Sequence, residues 1–114
     1  MKETNVIVGG IGEAKAFSYL KNKGYRIIDT NYKNKIGEID IIAAKDNYLI
    51  FIEVKNRSTL MFGYPREAVT TKKQQKIRNV ATLYLMKNGK MNANVRFDVI
   101  EVNGENIEHI ENAF

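Results

Sequence analysis

A chain of 114 residues is the length of one short domain, enough to bury about two thirds of its unfolded surface. Its 44% apolar and 27% charged residues exclude disorder by composition, and 18 Lys and Arg against 13 Asp and Glu, a formal charge of +5, permit a polyanionic partner without requiring one. The absence of cysteine removes disulfides, cysteine-ligated zinc and thiol catalysis, and a single histidine argues against a histidine-rich metal site or a Ser-His-Asp triad.

At the N-terminus, Met1 to Asn5 is followed by only Val6-Ile7-Val8, too short for a signal-peptide core. Apolar runs elsewhere break within a few residues, so neither a membrane span nor export is expected, and a cytoplasmic protein is. Gly9-Gly10-Ile11-Gly12 follows no strand and lacks the Lys-Ser/Thr ending of a P-loop, which leaves nucleotide binding with little support. Gly12 to Lys23 has Ala16, Phe17 and Leu20 at helical spacing and stops at Gly24. A short strand is expected at Tyr25 to Ile28, then strands at Glu38–Ala44 and Tyr48–Lys55 around a Lys45-Asp46-Asn47 turn. Gly63-Tyr64-Pro65 marks a loop. A second helix is predicted from Lys72 to about Met86, with Thr71 as N-cap, Gln74 completing a capping box, and Ile77, Val80, Ala81, Tyr84 and Leu85 on its apolar side. Val95 to Val102 and Asn106 to Ile110 form a final hairpin around Asn103-Gly104. No repeat or linker divides the chain, so residues 1–114 read as a single α/β domain: a mixed sheet flanked by helices, in the order α-β-β-β-α-β-β.

The chemistry concentrates on the central hairpin. With Asp46-Asn47 as a two-residue turn, Asp40 falls opposite Glu53 and Glu38 opposite Lys55, all four on one face at one end. Ile42, Ala44, Leu49 and Phe51 continue that face; Ile39, Ile41, Ala43, Ile50, Ile52 and Val54 make the reverse face apolar too, so both strands are interior. Directly opposed carboxylates beside aliphatics repel and raise each other's pKa unless a cation intervenes. Two readings stay open here: a site for a divalent ion such as Mg2+, which takes one or two carboxylates plus water and phosphate oxygens, or a structural charge cluster partly neutralised by Lys55. Glu13, four residues before Phe17 and seven before Leu20, shares their core-facing stripe and is either a further acid of the cluster or a first-turn acid favoured by the helix dipole. Lys72, Lys73 and Lys76 crowd the start of the second helix, where the dipole favours acids, and so suit a phosphate; a merely solvated basic face is the alternative. Lys33, Lys35, Arg57 and Arg66 extend that surface. Counting from Asn103-Gly104 sets Asp98 opposite His109 as a structural ion pair, and Tyr84 reads as core.

Gly37-Glu38-Ile39-Asp40 followed by Phe51-Ile52-Glu53-Val54-Lys55-Asn56-Arg57 resembles the Asp…Glu-x-Lys signature of the PD-(D/E)xK nuclease superfamily. With Gly12-Glu13-x-x-Ala16, Glu67-Ala68-Val69, Arg96-Phe97-Asp98-Val99 and the ending Asn112-Ala113-Phe114, the series is similar to the YraN family of predicted endonucleases, which look like Holliday junction resolvases. The superfamily's proline before the aspartate is Ile39 here. The resemblance implies a restriction-endonuclease-like fold and Mg2+- or Mn2+-dependent hydrolysis of DNA, in branched or junction form. Asp40 and Glu53 would be the metal ligands and Lys55 the catalytic lysine. Glu13 corresponds to the first-helix acid, and Glu38 to a position of less certain role. Lys72, Lys73, Lys76 and Arg57 would contact the nucleic acid. Related nucleases often act as dimers, which extends the expectation to a homodimer, with Tyr25 to Tyr32 and the C-terminal hairpin as candidate edges. The alternative is a non-catalytic nucleic-acid-binding module that delivers a partner nuclease.

Overall fold

The computed structural model describes residues 10–56 and 69–114. Arg57, Arg66, the Gly63-Tyr64-Pro65 loop, Glu67-Ala68 and the first nine residues lie outside them. Seven elements follow in order: α1 (Ile11–Asn22), β1 (Arg26–Lys33), β2 (Glu38–Lys45), β3 (Tyr48–Asn56), α2 (Thr71–Lys87), β4 (Asn94–Asn103) and β5 (Asn106–Ile110). The strands form one sheet in the spatial order β1-β2-β3-β4-β5. β3 and β4 run parallel and the other neighbours antiparallel, because α2 carries the chain back across the sheet between them. This is the α-β-β-β-α-β-β order and two-sided mixed sheet expected of a restriction-endonuclease-like domain.

Each face of the sheet carries one helix. Ala16 and Leu20 of α1 pack with Ile41, Ala43, Ile50, Ile52, Ile100 and Val102. Ile77, Val80, Ala81, Tyr84 and Leu85 of α2 pack with Ile42, Leu49, Phe51 and Val99. Phe51 and Tyr32 both meet the Tyr84 ring edge-on, at centroid distances of 5.8 and 5.1 Å, so Tyr84 is core as expected. On α1 the buried line is Gly12, Ala16 and Leu20, a strict i, i+4, i+8 row. Phe17 and Glu13 lie beside it, half-buried, rather than on the core-facing stripe.

Four further expectations change. First, β1 runs on to Lys33: Asp29, Thr30 and Asn31 are turn-type residues, but a bulge after Ile27 and a left-handed Asn31 (φ 53°) absorb them without ending the strand. Second, Asn31 lies opposite Asp40, and there the alternation of β2 slips. Ile39 joins the α2-side cluster together with Ile42, whereas Ile41 faces α1. Third, the cap of α2 is Thr70, not Thr71; its Oγ1 accepts from the Lys73 amide at 3.1 Å, and the Gln74 side chain donates to the Val69 carbonyl at 2.8 Å instead of closing a box. Fourth, Gly104-Glu105 makes the last turn, pairing Asn103 with Asn106, so His109 stands across from Ile100 and diagonal to Asp98. Its ring still reaches Asp98, with Nε2 2.7 Å from Oδ2. The central turn holds as read: Asp46 and Asn47 both take positive φ (53° and 69°), the pair a tight right-twisted hairpin requires, and Lys45 pairs with Tyr48.

Candidate active site cleft

Backbone pairing of β2 with β3 ends at Ile41 and Ile52. One position further, the Asp40 carboxylate replaces the ladder: its Oδ2 accepts from the Val54 amide at 2.8 Å. Asp40 and Glu53 therefore face one another across strands that are opening, not across a closed ladder. The expected register of Glu38 with Lys55 does not form, because the β2–β3 ladder stops at Ile41 and Ile52, where the Asp40 carboxylate takes the Val54 amide. Lys55 is half-buried, in register with Glu101 of β4, two residues beyond Glu53 on the same strand.

Where the strands part, a cavity of about 410 Å³ is lined by Gly37, Glu38, Asp40, Glu53, Lys73, Lys76 and Ile77. Its walls are set by two close approaches. A Cβ on Gly37 would lie 3.1 Å from Lys76 Cε and 3.2 Å from Val80 Cγ2, so glycine lets the β1–β2 turn rest on α2 without displacing either side chain. Asn34 pins that turn, accepting from the Ile36 amide at 2.9 Å while its Nδ2 donates to the Val80 carbonyl at 3.2 Å. On the other face, a Cβ on Gly12 would meet Asn56 Cγ at 2.8 Å, which brings the first turn of α1, and Glu13 with it, against the end of β3.

The cleft is short of positive charge around Asp40. Burial, then the neighbouring charge of Glu53, pushes its carboxyl up to about 7; Glu13 and Glu38 add to the rise, opposed by the Val54 hydrogen bond and, more weakly, by the Lys73 charge. Glu53 is buried (9% exposed) and, among the described residues, is paired with Lys73, whose Nζ lies 3.0 Å from Oε2. That hydrogen bond and the Glu53 charge hold the Lys73 ammonium above its usual range. The donors that face the cavity are oxygens, which suits a hard divalent ion such as Mg2+ or Mn2+ better than a soft one. One Asp40 oxygen is committed to Val54, leaving the other to face the cavity. Among the described residues no group of three or more acids or histidines is arranged to hold a metal, so an ion here would rest on two carboxylates with water or substrate oxygens completing its shell.

The cleft thus gathers Asp40, Glu53, Glu38, Lys73 and Lys76, with Glu13 in electrostatic reach. It does not gather Lys72, which is exposed outside the lining, or Lys55, which stands on the neighbouring stretch of β3. Arg57 lies outside the described residues. Sequence reading missed the Lys73–Glu53 contact and the role of Asn34. The hint for the first was Thr70 three residues before Lys73, which fixes that residue's backbone at the helix entrance.

Fold and cleft together define a small α/β protein with a carboxylate-lined, lysine-rimmed site at the parting of two central strands. The chain belongs to the family described as uncharacterised protein family UPF0102, whose model matches residues 12–102, in keeping with the YraN-like series of motifs. It is 53% identical to a UPF0102 protein of Alkaliphilus oremlandii, over 96% of this chain and 99% of the relative. It is 52% identical to one of Clostridioides difficile (93% and 95%) and 45% identical to one of Caldanaerobacter subterraneus subsp. tengcongensis, over the full length of both. No helix among the described residues is long and apolar enough to cross a membrane.

Proposed function

We propose that this protein is a divalent-metal-dependent endonuclease that hydrolyses DNA phosphodiester bonds, with branched or junction DNA as its substrate. The observation that carries the reading is the largely buried Asp40–Glu53 pair at a cavity rimmed by lysines, with no ion pair to Asp40 among the described residues. Asp40 and Glu53 would hold Mg2+, or Mn2+ in its place. When bound, such an ion polarises a phosphoryl oxygen and acidifies a water molecule. Val54 keeps the Asp40 carboxylate turned to the cavity, and Glu13 and Glu38 deepen the negative potential that attracts a cation. Lys55 would orient the attacking water or stabilise charge developing on the phosphate, as the Asp…Glu-x-Lys resemblance implies. Lys76 and Lys73 on the cavity wall, with Lys72 outside the lining, would hold flanking phosphates without reading sequence, and Arg57 would join them as the resemblance implies. β1 and β5, the two edges of the sheet, are where a homodimer would pair strands.

The second reading, a non-catalytic module that delivers a partner nuclease, is favoured by the Lys73–Glu53 ion pair, which already neutralises one carboxylate. Cleavage of labelled duplex, single-stranded, flapped and four-way-junction DNA in Mg2+ or Mn2+ separates the two. Wild type cleaves at least one of them, while Asp40→Asn and Lys55→Ala lose cleavage and keep binding. Tight binding with no cleavage under any metal condition would replace the nuclease by the delivery module.

A further inference from the structure

Lys73 holds one oxygen of the Glu53 carboxylate that a divalent ion would share with Asp40. Its backbone is fixed, because the Thr70 hydroxyl accepts from its amide, whereas its side chain is about half exposed (48%) and reaches across the cavity mouth to Glu53 Oε2 at 3.0 Å. The Glu53 side chain is only 11% exposed and opens towards this cavity. A Mg2+ ion sits about 2.1 Å from each carboxylate oxygen it binds, so an ammonium on Oε2 and a doubly charged ion on the same small carboxylate would lie within a few ångströms and repel each other. Lys73 must then turn away when a divalent ion arrives. Its tether on the first turn of α2, on the same wall as Lys76, keeps it facing the cavity, where the anion left for it is a ligand phosphate.

We propose that Lys73 is an exchangeable counter-cation that couples divalent-ion binding to nucleic-acid binding: paired with Glu53 in the ion-free protein, it is released to a backbone phosphate once the ion is held. This deepens, and rests on, the reading of the cleft as a metal-dependent nuclease site. The ion-free protein keeps part of its basic surface internally neutralised, and by linkage DNA then tightens the ion as the ion tightens DNA.

Acylation of lysines by an amine-reactive ester, followed residue by residue by mass spectrometry, tests the exchange on the wild-type protein. The conditions are EDTA, saturating Ca2+ (a non-cleaving probe ion), and Ca2+ with duplex DNA, with Lys90 as internal reference. Lys73 reacts slowly in EDTA, several-fold faster in Ca2+, and slowly again when DNA is added, while Lys90 is indifferent to Ca2+. Titration calorimetry on Lys73→Met, without DNA, finds Ca2+ bound about tenfold more tightly than by wild type, since no ammonium competes. Saturable Ca2+ binding with no change in Lys73 reactivity, or unchanged Ca2+ affinity in Lys73→Met, overturns the exchange and leaves the nuclease reading standing. No saturable divalent binding by wild type overturns the reading of the cleft itself, and the exchange with it.

Discussion

Two aspartates with little solvent contact sit on neighbouring parts of this sheet and are treated in opposite ways. Asp98 on β4 is fully buried (0% exposed) and fully partnered. Arg96 donates to both its oxygens at 2.9 Å, His109 Nε2 lies 2.7 Å away, and the Asn112 amide donates at 3.0 Å. Burial pushes its carboxyl up, but the hydrogen bonds from His109, Arg96 and Asn112, with the Arg96 charge, outweigh it and hold the group below the usual carboxylate range. The shell is itself held, Tyr25 accepting from Arg96 at 2.9 Å and Tyr19 contacting His109 at 3.1 Å. Asp40 on β2 has one amide, three acids around it and, among the described residues, no ion pair, and its carboxyl rises to about 7. A structural carboxylate arrives with its counter-charges built in. A carboxylate poised for an added cation lacks them, and the fold carries the cost at that one place.

Breaking the satisfied network has the largest effect. Asp98→Ala leaves the partly buried Arg96 without its main partner and should cost about 3–5 kcal/mol in urea denaturation; a loss below about 1 kcal/mol would remove Asp98 from its structural role. The acid limb sharpens the same point. Because the folded Asp98 carboxyl lies below its ordinary 3.8, its contribution to stability is fully present above about pH 5 and is lost as pH falls through 3.8 towards the folded value. A melting-temperature series from pH 6 to pH 2 in wild type should show that drop, and Asp98→Ala should lack its share of it.

Asp40 should behave in the opposite sense. Its folded value near 7 lies above the unfolded 3.8, so below about pH 3.8 both states hold the proton and nothing is lost. Between 3.8 and 7 only the unfolded chain ionises, and stability falls with rising pH until the full penalty is reached above 7. Asp40→Asn, without divalent ions, should accordingly be more stable than wild type by about 1–2 kcal/mol at pH 8, with the gain fading towards pH 4. A destabilised Asp40→Asn at pH 8 would show that the acid cluster is structural.

The smallest effect belongs to the helix that supplies the lysines. Thr70→Ala removes the cap of α2 and should cost about 1 kcal/mol by thermal melting, whereas Thr71→Ala should cost a few tenths at most. Equal losses at the two positions would contradict the observed cap.

Much of this was legible in the sequence because periodicity speaks for itself. The apolar face of α2 and the two-sided burial of β2 and β3 follow from residue spacing, and the Asp46-Asn47 turn sets the β2–β3 register. The slip at Asp40 was hidden, since it needs Asn31 in a left-handed conformation on another strand. The last hairpin slid by two residues because Asn103-Gly104 and Gly104-Glu105 are both competent turns and only the packed register separates them. In the cleft, Asp40 and Glu53 were readable from hairpin register. The Lys73 contact was not, because it spans a helix and a strand whose relative placement is set by Asn34 and Gly37.

Calorimetric titration of Mg2+ and Mn2+ into the protein at pH 8, with Asp40→Asn and Glu53→Gln alongside, tests most directly whether the Asp40–Glu53 pair is a metal site. One saturable divalent site per chain in wild type, abolished in both variants, is the expected result. Absence of saturable binding in wild type, or binding that survives both substitutions, would contradict it.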